Sequence, residues 1–372
     1  MLSKTKRGLM GGIVVVLLKK YEFQPDYRNI VMAANNQWAP RLPLYEHAVG
    51  AKVIFETVGT RPFDKMFSKD MAESRQGFRE YWDFWRQMGY DTASMEFCLC
   101  GVLVGGGALG EHKDGCIKNR ADFERYPWKD IPRLYFEAYA PYIRNFAEAC
   151  PPGMRAIGGV GNGLFETVQD LVGYMDLCYI KGDDEELFED IFKAMGDVQY
   201  RIWERFMEEF SDVFCVLRFG DDLGFNTMTL ISTDDIRKNI IPQYRRITDK
   251  VHAMGKPFLL HSCGNLFAVF DELIDGAKID AKHSNEDGIA HFSTWVERYG
   301  DRIGNFGGID TDVLCRYPET YIKDYILDCL DKVQERGGIA FSSGNSIPDY
   351  VPAEGYLAMI DTIRAWRQDH RL

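Results

Sequence analysis

The chain has 372 residues, 46% hydrophobic and 27% charged, with 24 Phe, 19 Tyr and seven Trp; this is apolar surface enough for a large core and excludes a disordered chain. A formal net charge of −12, with no stripe of Lys and Arg interleaved with aromatics, excludes a general affinity for nucleic acid, whose phosphates need clustered cations. Nine cysteines are scattered through mostly apolar segments as small hydrophobes, which points to a reducing compartment and a cytoplasmic location.

At the start of the chain, Lys4, Lys6 and Arg7 precede the apolar run Leu9–Leu18, an arrangement that imitates a signal peptide. The run is about half of the roughly twenty residues that span a bilayer. Lys19 and Lys20 follow it in place of a small-residue cleavage site. Residues 1–22 are therefore read as an N-terminal extension with a non-native or mis-assigned start, and no membrane association is expected.

From there the chain alternates. Short β-rich runs stand at Leu42–His47, Ala93–Cys98, Met154–Val160, Val213–Phe219, Pro257–His261, Ile279–His283, Ile303–Gly308 and Gly338–Ser343. Helix-period segments lie between them: Met66–Met88, Ile131–Ala149, Glu185–Phe210, Thr233–Met254, Pro318–Arg336 and Pro352–Trp366. Ser232-Thr233-Asp234-Asp235 supplies an N-cap and first-turn acids for one of them. Residues 98–132, with Gly105-Gly106-Gly107 and Gly110, read as a glycine-rich excursion. Strand–helix alternation predicts an α/β fold with a parallel sheet, and eight strand runs predict a (β/α)₈ barrel, residues 23–372 forming one domain. A doubly wound open sheet is the rival arrangement.

In such barrels the active site is built at the C-terminal strand ends. There the sequence places Glu46 and His47, Glu96, Gly161 and Asn162, Asp221 and Asp222, His261 and Cys263, His283 and Asn285, Asp310, and Ser343 and Asn345. The sharpest group is Leu259-Leu260-His261-Ser262-Cys263-Gly264, because an imidazole and a thiolate two residues apart past an apolar strand point to one side and are natural zinc ligands. A hydrogen-bonded histidine beside a buried cysteine is the plainer alternative. In Gly220-Asp221-Asp222-Leu223-Gly224, one acid can accept a hydrogen bond from a substrate while the other caps a turn. Glu96 lies inside an apolar strand and must find a partner or shift its pKa. Gly307-Gly308 before Asp310 admits a bulky ligand or only bends the chain. The Gly101–Gly110 stretch lacks the Lys-Ser/Thr of a phosphate loop and any dinucleotide fingerprint, which excludes a nucleotide role.

His261-Ser-Cys-Gly, Gly307-Gly-Ile-Asp310-Thr, Ser343-Gly-Asn-Ser-Ile-Pro and the closing helix from Pro352 resemble the C-terminal half of the uroporphyrinogen decarboxylase superfamily. Gly220-Asp221-Asp222-Leu-Gly and Pro242-Gln-Tyr-Arg-Arg-Ile extend the likeness upstream. The true decarboxylase carries Arg-Gln-Ala-Gly-Arg-Tyr after its first strand; here Pro43-Leu44-Tyr45-Glu46-His47 has no arginine, and Glu46 would repel a polycarboxylate. The chain therefore looks like the branch of corrinoid-dependent methyltransferases, in which His-x-Cys-Gly and a later cysteine bind zinc.

The resemblance implies zinc on His261 and Cys263. Asn345 stands opposite the family's later cysteine, so Glu46, His47, Glu96 or Asp222 must complete the ligands. It also implies a methyl group moved between methylcobalamin on a partner corrinoid protein and a small acceptor such as a thiol or tetrahydrofolate, in methyl-group or O-demethylation metabolism. Asp222, Glu96 and Glu46 are then the expected catalytic residues, and Asp221, His47, Asn162, Asn345, Ser343 and Asp310 the expected substrate contacts. The expected partners are the acceptor, the corrinoid protein and a second copy of the chain. The alternatives are a lyase of the same superfamily on another substrate and a non-catalytic corrinoid or tetrapyrrole carrier.

Overall fold

Strands form where β-branched and aromatic residues run together, and Phe-Cys-Val-Leu-Arg-Phe-Gly at Phe214–Gly220 is buried along its whole length, as a strand covered on both faces should be. The computed structural model describes residues 6–10, 13–17, 23–110 and 113–370. Seven strands alternate with helices: β1 (Thr92–Cys98), β2 (Arg155–Gly161), β3 (Phe214–Gly220), β4 (Phe258–His261), β5 (Ala281–His283), β6 (Gly304–Ile309) and β7 (Ile339–Ser343). Ahead of them, Lys6–Met10 pairs antiparallel with Ile13–Leu17. The rest of the extension expected at 1–22 lies outside the described residues. Among the described residues no helix is long and apolar enough to cross a membrane.

The chain divides into two compact units, one of Met1–Met95, Tyr142–Ile157 and Asp280–Leu372, the other of Glu96–Pro141 and Gly158–Ile279. In the second unit β3 and β4 pair in parallel, and their register sets Gly220 opposite His261. The two chain ends that leave these strands, Asp221-Asp222 and Ser262-Cys263, thus emerge side by side. Trp203, on the helix Glu185–Phe210, packs edge-on against Phe219 and Phe258 beneath them. That helix matches its expected bounds, opening on Asp184, whose side chain accepts from the Leu187 amide. The helix expected at Thr233–Met254 is interrupted instead. A turn at Thr233–Asp235 passes through a wide π-type turn, Ile236–Ile240, before Ile241–Ala253. Pro242 at the start of the last segment has no amide hydrogen to continue the ladder.

The glycine-rich excursion is tied down within the same unit. Asp170 accepts from the amides of Gly107 (3.0 Å) and Leu109 (3.2 Å), and the Cys116 amide donates to the Leu171 carbonyl at 2.7 Å.

In the first unit β5 pairs with β6 and β6 with β7, Ile309 standing opposite Ser343. The expected first strand, Leu42–His47, shrinks to one parallel bridge, Leu44 with Phe341. The Tyr45 amide donates to the Phe341 carbonyl and the Phe341 amide to the Pro43 carbonyl, both at 3.0 Å. Pro40 and Pro43 lack the amide hydrogens a longer ladder would use. Two bonds still suffice to carry Glu46 to the end of β7.

Candidate active site

The strongest constellation stands at the ends of β3 and β4. The imidazole of His261, the thiol of Cys263 and the carboxylate of Asp222 offer three ligand atoms that all lie within 4.8 Å of one another. His261 Nε2 and Cys263 Sγ are 3.6 Å apart. Zinc bonds of about 2.3 Å to sulfur and about 2.05 Å to nitrogen, at a tetrahedral angle, would put the two atoms roughly 3.6 Å apart. The donor set fits the ion in kind as well as in spacing. Asp222 is fixed in place because its Oδ1 accepts from the Cys263 amide at 2.9 Å. The Ser262 hydroxyl accepts from the Leu223 amide at 3.2 Å, a second tie between the two turns.

Gly264 makes this closeness possible. It sits at φ +89°, and a Cβ there would meet the Gly224 carbonyl carbon at 2.1 Å. Gly264→Ala is expected to cost roughly 2–3 kcal/mol, through left-handed strain and displaced backbone together. Thermal unfolding measures it, and an unshifted midpoint would show that the turn does not need glycine.

Asp221, next to Asp222, points the other way. It is fully buried, and its carboxylate accepts from the amides of Phe165 (2.9 Å) and Glu166 (2.8 Å) and from the Tyr244 hydroxyl. It caps the helix Leu164–Val172, while its own amide donates to the His261 carbonyl at 2.9 Å. Both oxygens of Asp221, expected to contact substrate, are engaged within the protein. Asn162, at φ +65°, bridges: its Nδ2 donates to Glu166 Oε2 at 3.0 Å and its Oδ1 accepts from the Cys100 amide at 3.2 Å. Glu96 pairs with Arg218, Nε to Oε1 at 2.7 Å, with side chains 11% and 2% exposed. Burial raises the Glu96 pKa and the Arg218 guanidinium opposes the rise.

Further expected site residues lie in the first unit. Glu46 is buried, its Oε1 accepting from the Ser343 amide (2.8 Å) and its Oε2 from the Ser343 hydroxyl (2.6 Å). Burial pushes its pKa up to about 8 against those two bonds. Ser343 is thereby occupied with Glu46, and its carbonyl lies 3.1 Å from His283 Nε2. The His283 ring is stacked on that of His47, centroids 6.2 Å apart, with Tyr45 edge-on at 5.0 Å. Asp310, expected to contact substrate, caps Thr311–Arg316 by accepting from the Asp312 amide at 2.8 Å and also accepts from the Asp287 amide at 2.9 Å. Asn345 Oδ1 accepts from the Ser346 hydroxyl at 3.3 Å. Gly307, at φ +144°, leaves room for Asn285, whose Oδ1 accepts from the Gly308 amide at 3.1 Å, and Gly308, at φ +140°, leaves room for the Phe341 ring.

The family model of uroporphyrinogen decarboxylase (URO-D) matches residues 82–366, well over half of the chain. The chain belongs to the uroporphyrinogen decarboxylase family. Among solved structures, a methyltransferase from Methanosarcina mazei is similar over 93% of this chain and 99% of its own, at 16% identity and a TM-score of 0.67. A glycoside hydrolase family 5 enzyme from Prevotella bryantii is similar over 92% of this chain and 99% of its own, at 12% identity and a TM-score of 0.45. No curated protein matches the chain in sequence. The fold is α/β, a (β/α)₈ barrel of the uroporphyrinogen decarboxylase type, in which the position expected of a strand at Leu42–His47 is held by the Leu44–Phe341 bridge alone.

For this member of the uroporphyrinogen decarboxylase family, sequence reasoning passes over three residues. Arg218 is hidden inside β3, where a lone cation in an apolar strand was the available signal. Glu166 stands on the short helix Leu164–Val172, which the strand–helix pattern omits. Tyr244 is fully buried, and its role shows only in its contact with Asp221.

Proposed function

We propose that this chain is a methyltransferase that moves a methyl group between a corrinoid carried by a partner protein and a small acceptor, with zinc held by His261, Cys263 and Asp222. The observation that carries the reading is the grouping of these three ligand atoms within 4.8 Å, with sulfur and nitrogen one tetrahedral edge apart. Asp222 thereby replaces Asn345 as the third ligand: a carboxylate on the neighbouring strand end supplies the negative charge that the family's second thiolate brings. When bound there, zinc would lower the pKa of an acceptor thiol or polarise an acceptor nitrogen or oxygen near neutral pH. Gly264 and the hydrogen bond from the Cys263 amide to the Asp222 carboxylate hold the ligand side chains in place, while Asp221 and Tyr244 support the strand end from behind.

The likeness to the Methanosarcina methyltransferase supports the reading. So does Pro43-Leu44-Tyr45-Glu46-His47, which has no arginine where the decarboxylase carries its arginine-bearing motif. In this reading residues 23–372 act as one barrel domain in the cytoplasm. Zinc and a methyl acceptor are its small-molecule partners, and the corrinoid protein and a second chain its macromolecular ones.

The test is metal analysis of anaerobically purified protein. Wild type is expected to carry about one zinc per chain, and His261→Ala, Cys263→Ala and Asp222→Ala to lose most of it, because each removes one of few protein ligands. Wild type with no stoichiometric metal would defeat the zinc site. Loss of methylcobalamin absorbance on adding a thiol or tetrahydrofolate then reads the transfer, and silence with every acceptor and with corrinoid carrier proteins would defeat the methyl-transfer reading.

A further inference from the structure

Asn285 sits in a cradle of glycines in the first unit, and half of its side chain is unused. It follows β5 and is 5% exposed; its Oδ1 accepts from the Gly308 amide at 3.1 Å, and its backbone amide donates to the Gly344 carbonyl at 2.8 Å. A Cβ on Gly307 would meet Asn285 Oδ1 at 2.1 Å, and one on Gly344 would meet the Asn285 carbonyl oxygen at 2.1 Å and Nδ2 at 3.3 Å. The ends of β6 and β7 thus both keep glycine to seat this one residue. The bond to Gly308 fixes which end of the side-chain amide is the oxygen, so the end that remains is the NH2 group, and it has no partner.

Two residues on, Asp287 carries the complementary feature. Its amide donates to Asp310 Oδ2 at 2.9 Å and its Oδ2 accepts from the Tyr325 hydroxyl at 2.7 Å, while its Oδ1, also enclosed, has no partner. Gly308 and Asp310 are likewise two residues apart, so the loop after β5 keeps step with the end of β6 and carries an unused donor and an unused acceptor. Most buried polar groups are bonded, because an unmet one loses its hydration and gains nothing. A donor and an acceptor left on one loop match a ligand that offers the reverse pair, a carbonyl oxygen beside an N–H. Asp287 and Asp310 make the surroundings acidic, which disfavours a carboxylate or phosphate at the NH2 group and favours a neutral carbonyl. A simple thiol offers no such edge.

We propose that Asn285 and Asp287 bind the amide edge of a methyl-transfer ligand, Asn285 Nδ2 donating to its carbonyl oxygen and Asp287 Oδ1 accepting from its N–H; this rests on the methyl-transfer reading. Two ligands of that reading carry such an edge, the lactam of a tetrahydropterin acceptor and the carboxamide arms of the corrinoid. Because both protein atoms are enclosed, residues 284–291 open to admit the edge and close over it. The pair sets which ligand is held and takes no part in moving the methyl group.

The test is calorimetric titration of zinc-loaded, full-length protein at pH 8 with 6-methyltetrahydropterin and, separately, with methylcobalamin, in wild type, Asp287→Asn and Asn285→Asp. Each variant keeps the shape of the side chain and its bond to Tyr325 or Gly308 and changes the unused atom. The ligand that is held should bind roughly 10–100-fold more weakly to both variants. Its binding should slow hydrogen exchange over residues 284–291 in wild type. Weakening of the pterin alone makes the acceptor the amide ligand; weakening of methylcobalamin alone makes it the donor. Zinc content should match wild type, and Asp287→Asn, which buries no new charge, decides the matter if Asn285→Asp does not fold. Equal affinity of wild type and Asp287→Asn for a ligand that binds, or no binding of either ligand to wild type, overturns the assignment of Asn285 and Asp287. The methyl-transfer reading falls only if the transfer assay with a thiol and with tetrahydrofolate is silent as well.

Discussion

Arg218→Ala should lower the free energy of unfolding by about 3–5 kcal/mol, the cost of leaving one partner of a buried pair without the other. Glu96 would remain in a nearly closed site with its counter-charge gone. Its pKa, already raised by burial, would rise further once the opposing guanidinium is removed. The sign of the pH dependence follows. A carboxyl whose folded pKa exceeds its unfolded value is ionised more readily in the unfolded chain, so stability falls as pH rises through the unfolded value. The variant should therefore be least damaged near pH 4 and most damaged at pH 8, as read by urea unfolding at both. Arg218→Met with Glu96→Gln together should recover much of the loss, because no uncompensated charge is then buried. A double variant as unstable as the single one would mean that Arg218 acts through packing and its other contacts instead of through charge.

That Arg218 escaped the sequence reading shows where pattern arguments stop. Hydrophobic periodicity located all of β1 to β7 to within one or two residues, because each is a short apolar run between turn residues. It placed His261, Cys263 and Asp222 at strand ends, but only the register of Gly220 opposite His261 brings the three together. No spacing rule in one dimension says that Asp222 stands beside the thiol. The adjacent acids show the same limit: the sequence gives two equivalent carboxylates, and the backbone turns Asp221 inward to three donors and Asp222 toward Cys263.

The capping by Asp310 is legible in the sequence, since Asp-Thr-Asp at a helix start is an N-cap signal. The misread strand Leu42–His47 and the interrupted helix after Thr233 share one cause. Proline removes a backbone donor, which apolar periodicity alone does not register.

Glu46→Gln should make the protein more stable at pH 8 by on the order of 3–5 kcal/mol, the largest gain any single change in this chain is expected to bring. Glu46 is buried with its pKa at about 8, against 4.5 for the unperturbed group. Between those values the folded chain keeps the proton and the unfolded chain gives it up, so wild-type stability falls as pH rises across that window and levels off above it. Below pH 4.5 both states are protonated and the contribution vanishes.

Glutamine copies the protonated acid at every pH. Its carbonyl accepts from the Ser343 amide, and its amide donates to the Ser343 hydroxyl, which can act as acceptor as readily as donor. The two proteins should unfold alike near pH 4 and diverge steadily toward pH 8. A variant that is destabilised by the same amount at both ends would show that Glu46 is held as a carboxylate. It would then be a charged group held by Ser343, instead of the neutral hydrogen-bonding partner that its burial and its two bonds to Ser343 imply.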